Sequence, residues 1–398
     1  MNHRNKYLLQ RILHFSSGII YSIYYSFFSR KRTKTVIFNS ACNQEFTWNA
    51  KNLFLHSAEK LKKIGFSVYF VINDSEKRAY LNDKYGNYFI SNMTLKNKIK
   101  IYKSAVWVLS TLETPCSGVF LNKNRFVYHL GHGTPIKNIG LCENNLSILK
   151  KIFYKLNTTN ISLFLSSSTY FVPYMAKAFG VKKNKIIVSP QPRIVDLLTK
   201  SSFSIEKEKD TKYILYAPTW RHYDEVKLFP FIHSNKGFTI FNQKLERLGI
   251  IILLRLHPRF EFNIEKYLTS NIINFNSSLC EDISEALNQT DALITDYSSI
   301  YCDYLLLNKP VAVIPYDLDR YVSEIGFSHN YSDIFPKTII STEKEFLSFC
   351  ERVKNNNFDF IEQNLLSSKL NFIPENSNII DFNIAIISEE YSKRWPEQ

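Results

Sequence analysis

Two histidines and a run of hydroxyl side chains carry the chemistry open to this sequence. His132 sits in Gly131-His132-Gly133-Thr134-Pro135-Ile136-Lys137, directly after Phe126–Leu130, an apolar run that reads as a strand. The flanking glycines let the backbone turn tightly and let a substrate come close. An imidazole titrates near neutral pH, so His132 is a candidate general base, with Gly131, Gly133, Thr134 and Lys137 around it as candidate substrate contacts. The plain alternative is a loop histidine satisfied by backbone. His129, inside the strand rather than at its end, reads as structural.

The second constellation lies in Ala292–Pro315, ALITDYSSIYCDYLLLNKPVAVIP. A short apolar strand ends in Thr295, Asp296, Ser298 and Ser299, a helix is expected over Ile300–Leu307, and Val311–Ile314 reads as the next strand. A helix start beside hydroxyls offers free N–H groups and a positive dipole end to an anion such as a diphosphate. Ordinary capping explains the same residues. Two more expected strands end in charge: Tyr213–Ala217 runs into Pro218-Thr219-Trp220-Arg221, and Ile250–Leu254 into Arg255-Leu256-His257-Pro258. In a parallel sheet these ends share one edge. Arginine forks onto phosphate oxygens, and a protonated His257 stabilises charge there. Each alone reads as a surface charge or a capped loop; three converging loops point to an anion site. No His/Cys/Asp/Glu spacing suggests a metal site, with Asp296 the carboxylate nearest to such a role, and no cofactor is expected.

Positioning these residues calls for alternating strands and helices. Thr35–Ala41, Ser67–Ile72, Ala105–Ser110 and Ser162–Ser168 read as further strands, Trp48–Ile64 as a helix closed by Gly65, and Glu281–Asn288 as a short helix. Strands separated by helices imply parallel sheets with crossover connections. The polar, glycine-free stretch 201–212 reads as a link, giving an N-terminal segment 1–34, a domain 35–200 and a domain 212–398. The terminal helix is expected to cross back to the first domain. A chain of 398 residues accommodates two such domains. Its net charge of +14 favours an anionic partner, whether nucleic acid, membrane or phosphorylated substrate.

Tyr7–Phe28 is apolar on one broad helical face, with Ser17, Ser22 and Ser26 mainly on the other, and is flanked by Arg4, Lys6, Arg30, Lys31 and Arg32. Serines, His14 and Gly18 break it up too much for a spanning helix. Lying on an anionic membrane surface fits better than packing on the protein's own core, the alternative.

The combination GHGTPIK, YAPTWR, RLHP and TDYSSIYCDYLLLNKPVAVIPYDLDRY, running from Gly131 to Tyr321, resembles the CDP-glycerol glycerophosphotransferase family of teichoic acid and capsule synthesis. The resemblance implies an α/β chain of GT-B fold, two Rossmann-like parallel-sheet domains facing across a cleft. It implies transfer of a polyol phosphate from a CDP-activated donor to a hydroxyl of a lipid-linked saccharide, with release of CMP, by a peripheral protein on the cytoplasmic side of the cell membrane. It makes His132 the base, puts His257 on the donor phosphates, and puts Thr295, Ser298 and Ser299 on the diphosphate. One departure leaves the donor open between glycerol and ribitol. Tyr321 leads into VSEIGFSHNYSDIFP, where family members often carry an acidic and then a Pro-Gly-Pro stretch. Two rivals remain: a GT-B glycosyltransferase using a nucleotide sugar, and a basic nucleic-acid-binding protein. Dispersed basic residues and the lack of any nucleic-acid-binding signature argue against the second.

Overall fold

The computed structural model describes residues 18–29, 31–199, 203–221, 223, 226–256, 264–373 and 378–396. Its described strands form two parallel sheets. The first holds β1 (Thr33–Asn39), β2 (Ser67–Val71), β3 (Phe89–Ile90), β4 (Ser104–Leu109), β5 (Phe126–His129), β6 (Leu163–Ser166) and β7 (Ile186–Val188), in the order β3-β2-β1-β4-β5-β6-β7. The second holds β8 (Lys212–Ala217), β9 (Ile250–Leu254), β10 (Ile272–Asn274), β11 (Ala292–Thr295) and β12 (Val311–Val313), in the order β10-β9-β8-β11-β12. Every ladder is parallel.

The composition of the strands follows from this. Helices cover both faces of a parallel sheet, so its central strands are apolar throughout instead of alternating. β4 (SAVWVL) and β9 (IIILL) are buried at every position. In each sheet the order reverses once, between β1 and β4 and between β8 and β11, and loops beyond the carboxyl ends of such strands form ligand crevices.

The chain divides into two units. One comprises the residues up to Gly133, Gly140–Arg193 and the chain from Phe372; the other comprises Thr134–Ile139 and Ile194–Asn371. The described residues from Phe372 on, grouped with the C-terminal domain in the sequence reading, thus belong to the first unit, and 134–139 to the second. Helix Ile379–Arg394 makes the return. Ile380, Asn383, Ile387 and Tyr391 lie on its buried side. Tyr128 Oη donates to Asn383 Oδ1 at 2.8 Å, and Tyr391 meets Phe66 with ring centroids 5.2 Å apart.

Helix Trp48–Lys63 buries Asn49, Ala50, Leu53, Phe54, Ser57, Ala58 and Leu61, the i, i+4 stripe of one helical face. Its lysines Lys60, Lys62 and Lys63 fall in the last turn, where they complement the helix dipole. Two expectations change. Glu281–Asn288 is a pair of 3₁₀ turns, Ile283–Glu285 and Leu287–Gln289, because Asp282 accepts from Ser284 N, two residues on, and starts the tighter turn. The helix after β11 is α-helical only over Ile300–Tyr304 and tightens to 3₁₀ over Leu305–Leu307 before Asn308 turns left-handed.

The N-terminal helical segment reverses the usual logic of a surface helix. Ser22 and Ser26 are buried: Ser22 Oγ accepts from Val119 N, and Ser26 Oγ donates to Phe120 O at 2.9 Å. Tyr25 stacks on Tyr102 at 5.5 Å. The apolar Ile20, Tyr24 and Phe28 face outward. Arg32, counted above with the basic flank, is instead buried, with Nε on Asn124 O at 2.7 Å and Nη1 on Ser29 O at 2.6 Å. Burial lowers its pKa to about 10.

Candidate active site

In the second unit the site grows from the reversal between β8 and β11. Their parallel register, Thr295 opposite Ala217, brings the two loops together. Asp296, the first residue past β11, accepts from Thr219 N at 2.7 Å and from Arg221 Nη1 at 2.6 Å. Arg221 turns its other edge to Asp317, with Nε to Oδ2 at 3.0 Å and Nη2 to Oδ1 at 2.9 Å. Tyr223 Oη donates to Asp317 Oδ2 at 2.7 Å. The guanidinium lies 4.9, 5.0 and 5.3 Å from the ring centroids of Tyr297, Tyr316 and Tyr321.

Burial by itself would lower the pKa of Arg221, but Asp296 and Asp317 more than offset it and hold the cation. Burial likewise pushes the Asp317 carboxyl up, while bonds from Arg221 and Tyr223 bring it below the usual carboxylate range. Arg221 was expected to fork onto donor phosphates; its guanidinium is committed to two carboxylates and to the Thr219 carbonyl. Asp296, the expected helper of a cation, is already neutralised by it. Among the described residues no group of three or more His, Cys, Asp or Glu side chains is placed to hold a metal ion.

The other expected anion ligands divide. Thr295 is fully buried and donates to Ala217 O at 2.6 Å, a bond between neighbouring strands. Arg255 is buried and holds the loop after β10 by Nη1 bonds to Phe275 O at 3.2 Å and Cys280 O at 2.8 Å. Ser298 and Ser299 stand half-buried where helix Ile300–Tyr304 begins, and Ser298 Oγ accepts from Ile300 N at 3.4 Å. His257 lies outside the described residues.

Lys137 belongs to the same unit as Asp296 and Arg221. Its segment is hydrogen-bonded beside Phe327: Asn138 N donates to Gly326 O at 3.1 Å and Ser328 N to Ile136 O at 2.9 Å. Burial pulls the Lys137 ammonium down to about 8; Asp296 works against that and Arg221 with it.

In the first unit, β5 ends at His129, which is buried between Phe164 and Phe179. Burial, reinforced by the charge of His132, holds its pKa down at about 3, so it is a neutral core residue, as its place in the strand suggested. Gly131 then takes φ +73°, which glycine accepts without strain, and His132 emerges exposed. Its ring packs on Trp48 at 5.3 Å. Gly133 is half-buried, and Thr134, where the second unit's segment 134–139 begins, is buried. Sequence reasoning passed over Trp48, Asn49 and Asp317, and gave Arg193, in the polar strand end Ser189–Arg193, no role in the site. Arg193 and Asp317 stand in stretches noted above or at strand ends, whereas Asn49 and Trp48 left no signal beyond a helix start.

The model of the CDP-Glycerol:Poly(glycerophosphate) glycerophosphotransferase family matches residues 21–370. The chain belongs to that family. It is therefore a transferase of the polyol-phosphate class, and the sequence motifs identified it correctly. A teichoic acid glycerol-phosphate transferase of Staphylococcus aureus is 25% identical over 293 residues, 69% of this chain and 73% of that one. A teichoic acid poly(ribitol-phosphate) polymerase of Bacillus spizizenii is 31% identical over 212 residues, 50% of this chain but only 33% of its own length. A structure of the wall teichoic acid polymerase TagF with CDPG superposes with TM-score 0.73 at 18% identity, covering 97% of this chain and 98% of that one. That likeness is one of fold, and it agrees with the α/β, GT-B class of paired Rossmann-like sheets expected from the sequence.

Proposed function

We propose that this protein transfers glycerol phosphate from CDP-glycerol to a hydroxyl of a lipid-linked teichoic acid or capsule precursor, with His132 as general base. The imidazole takes the acceptor proton. The acceptor oxygen bonds to the phosphorus that bears the glycerol, the bond from that phosphorus to the bridging oxygen breaks, and CMP leaves with the bond's electrons. Negative charge grows on the leaving phosphate, where Ser298, Ser299 and the N–H groups beside them are suited to receive it, with His257 assigned by family resemblance. Arg221 acts from behind, by fixing Asp296 and Asp317. The observation that carries this reading is His132: an exposed imidazole at a strand end, inside the family's glycine-flanked motif.

The test is CMP release by purified protein with CDP-glycerol, CDP-ribitol and UDP-sugars. His132→Ala should lower the rate by roughly 10²–10⁴, the usual worth of a positioned base, while thermal shift by the donor persists. Wild-type turnover in that variant overturns the base assignment. Turnover of CDP-ribitol alone renames the donor, and turnover of uridine donors alone overturns the reaction class.

We also infer that the first unit sits on an anionic membrane. Among the described residues no helix is long and apolar enough to cross one. Support comes from Ile20, Tyr24 and Phe28 facing out over a buried serine face. Helix Ile148–Thr159 likewise exposes Ile148, Leu149, Ile152, Phe153 and Leu156 beside Lys150, Lys151 and Lys155. Both segments meet the loop 118–124: Phe27 packs on Phe120, and Asn122 Nδ2 donates to Thr159 O. Apolar side chains ringed by lysines match an acidic lipid interface.

A further inference from the structure

The residues that hold the proposed base lie outside the motif that carries it. Asn49 is fully buried at the start of helix Trp48–Lys63. Its Nδ2 donates to Gly131 O at 2.8 Å and to Leu130 O at 3.3 Å, and its Oδ1 accepts from Arg193 N at 3.1 Å. One amide thus clasps the turn before His132 and the turn after β7 together. Arg193 closes the ring, for its Nη1 donates to His132 O at 2.8 Å. The helix start is itself tied down, with Ala50 N donating to Ser110 Oγ at 2.8 Å just past β4.

The neighbouring Trp48 supplies the contact with the imidazole itself. Its ring lies 5.3 Å from that of His132, the planes inclined by 45°. Trp48 has φ +63°, a left-handed conformation that a side chain this large rarely takes. Such backbone persists where the surroundings over-determine it. Here the Asn49 clasp and the Ser110 bond fix the next residues and so hold the Trp48 backbone from which the indole reaches His132.

We propose that Asn49, Arg193 and Trp48 form a positioning frame for His132, the first two holding its backbone and the third its ring. A turn with glycine on both sides of the histidine is loose by composition, whereas a base must be placed closely to work. The frame supplies, from the start of helix Trp48–Lys63 and the turn after β7, the stiffness that the Gly131–Gly133 turn lacks. This inference rests on the reading of His132 as base.

The test uses the full chain with CDP-glycerol and its acceptor. Asn49→Ala and Arg193→Met should each lower kcat by about 10- to 100-fold, as small misplacements of catalytic groups do, with KM for the donor changed less than about twofold. Arg193→Lys, which keeps a cationic donor for the His132 carbonyl, should recover much of the loss. In a His132→Ala background Asn49→Ala and Arg193→Met should have no further effect, because residues acting through one group are not additive. Trp48→Ala should move the pH–rate limb of His132, and Trp48→Gly, which accepts φ +63°, should melt higher than Trp48→Ala. Arg193→Met guards against a misfolded Asn49→Ala, since it leaves the Arg193 N–H bond to Asn49 in place.

Two failures are distinguishable. Wild-type turnover in His132→Ala sinks the base reading alone; the His132 backbone resonances still shift in Arg193→Met if the frame holds the turn. An inactive His132→Ala together with full kcat and unmoved resonances in Arg193→Met and Asn49→Ala overturns the frame alone. Additive losses in the His132→Ala background overturn it as well.

Discussion

Replacing Arg221 by methionine tests whether the cluster after β8 is a frame or a ligand set. The side chain is fully buried, as is that of Asp296, while Asp317 is only partly buried, with 14% of its side chain exposed. Methionine fills similar space but leaves two carboxylates without their cation. Breaking a buried pair by removing one partner costs about 3–5 kcal/mol. For a unit of about 200 residues, at about 2–4 °C per kcal/mol, the melting temperature should fall by roughly 6–20 °C. The sign of the pH dependence follows from the carboxylates. In the wild type Asp317 is held below its usual range, so its stabilisation is present above the unfolded pKa and is lost as pH falls through the folded one. In the variant the Arg221 contribution is gone and burial of Asp317 is opposed only by the hydroxyl bonds that remain, so its pKa rises and part of the penalty at pH 7 is relieved on acidification. The gap between the two proteins should therefore narrow from pH 7 towards pH 4. The assay is thermal unfolding of the free protein across that range, beside donor affinity measured at low temperature. A variant that melts like the wild type but binds CDP-glycerol many-fold more weakly refutes the argument and makes Arg221 a direct phosphate ligand. A gap that does not change with pH refutes the electrostatic part alone.

Two further outcomes follow from burial and exposure. His129 refuses a proton in the folded state until about pH 3, whereas an unfolded histidine takes one near 6.5. Its contribution to stability is thus complete above pH 6.5 and falls by about 1.4 kcal/mol per pH unit below it. His129→Phe, between Phe164 and Phe179, should flatten the stability profile between pH 4 and 6.5, and an unchanged slope would assign the acid sensitivity elsewhere. Ile148 and Leu149 are 76% and 80% exposed. At about 1.5–3 kcal/mol for each side chain taken up by lipid, Leu149→Glu should weaken binding to vesicles rich in phosphatidylglycerol at least tenfold in co-sedimentation. Equal binding by variant and wild type would exclude this helix from the membrane contact.

Most strands were legible because burial on both faces leaves a continuous apolar run, and that signal is local; the two-residue edge strand Phe89–Ile90 is too short to give one. So were the loops at their ends, where glycines, hydroxyls and histidines cluster within a few residues. The helix Trp48–Lys63 was legible from its stripe and its terminal glycine, with an end displaced by one residue. The chemistry of the family, carried by four short motifs, was legible for the same reason.

What the motifs could not say is which of their polar groups remain available. Arg221 looks like a free cation until Asp317, 96 residues on, takes its fork. Thr295 looks like a free hydroxyl until the order of the second sheet sets it beside Ala217, 78 residues earlier. Serines at 22 and 26 look like the wet face of a helix until the loop at 118–120 offers them hydrogen bonds. Asn49 carries no mark at all, because its partners, Leu130, Gly131 and Arg193, come together only when β5, β6 and β7 are in place. The sequence by itself determined most of the strands, the parallel architecture and the family, since these depend on side-chain type and short spacing. Tertiary structure alone decided which of those residues are committed to holding the fold and which face outward. A hydrogen bond between distant segments depends on sheet order, and no local pattern encodes that.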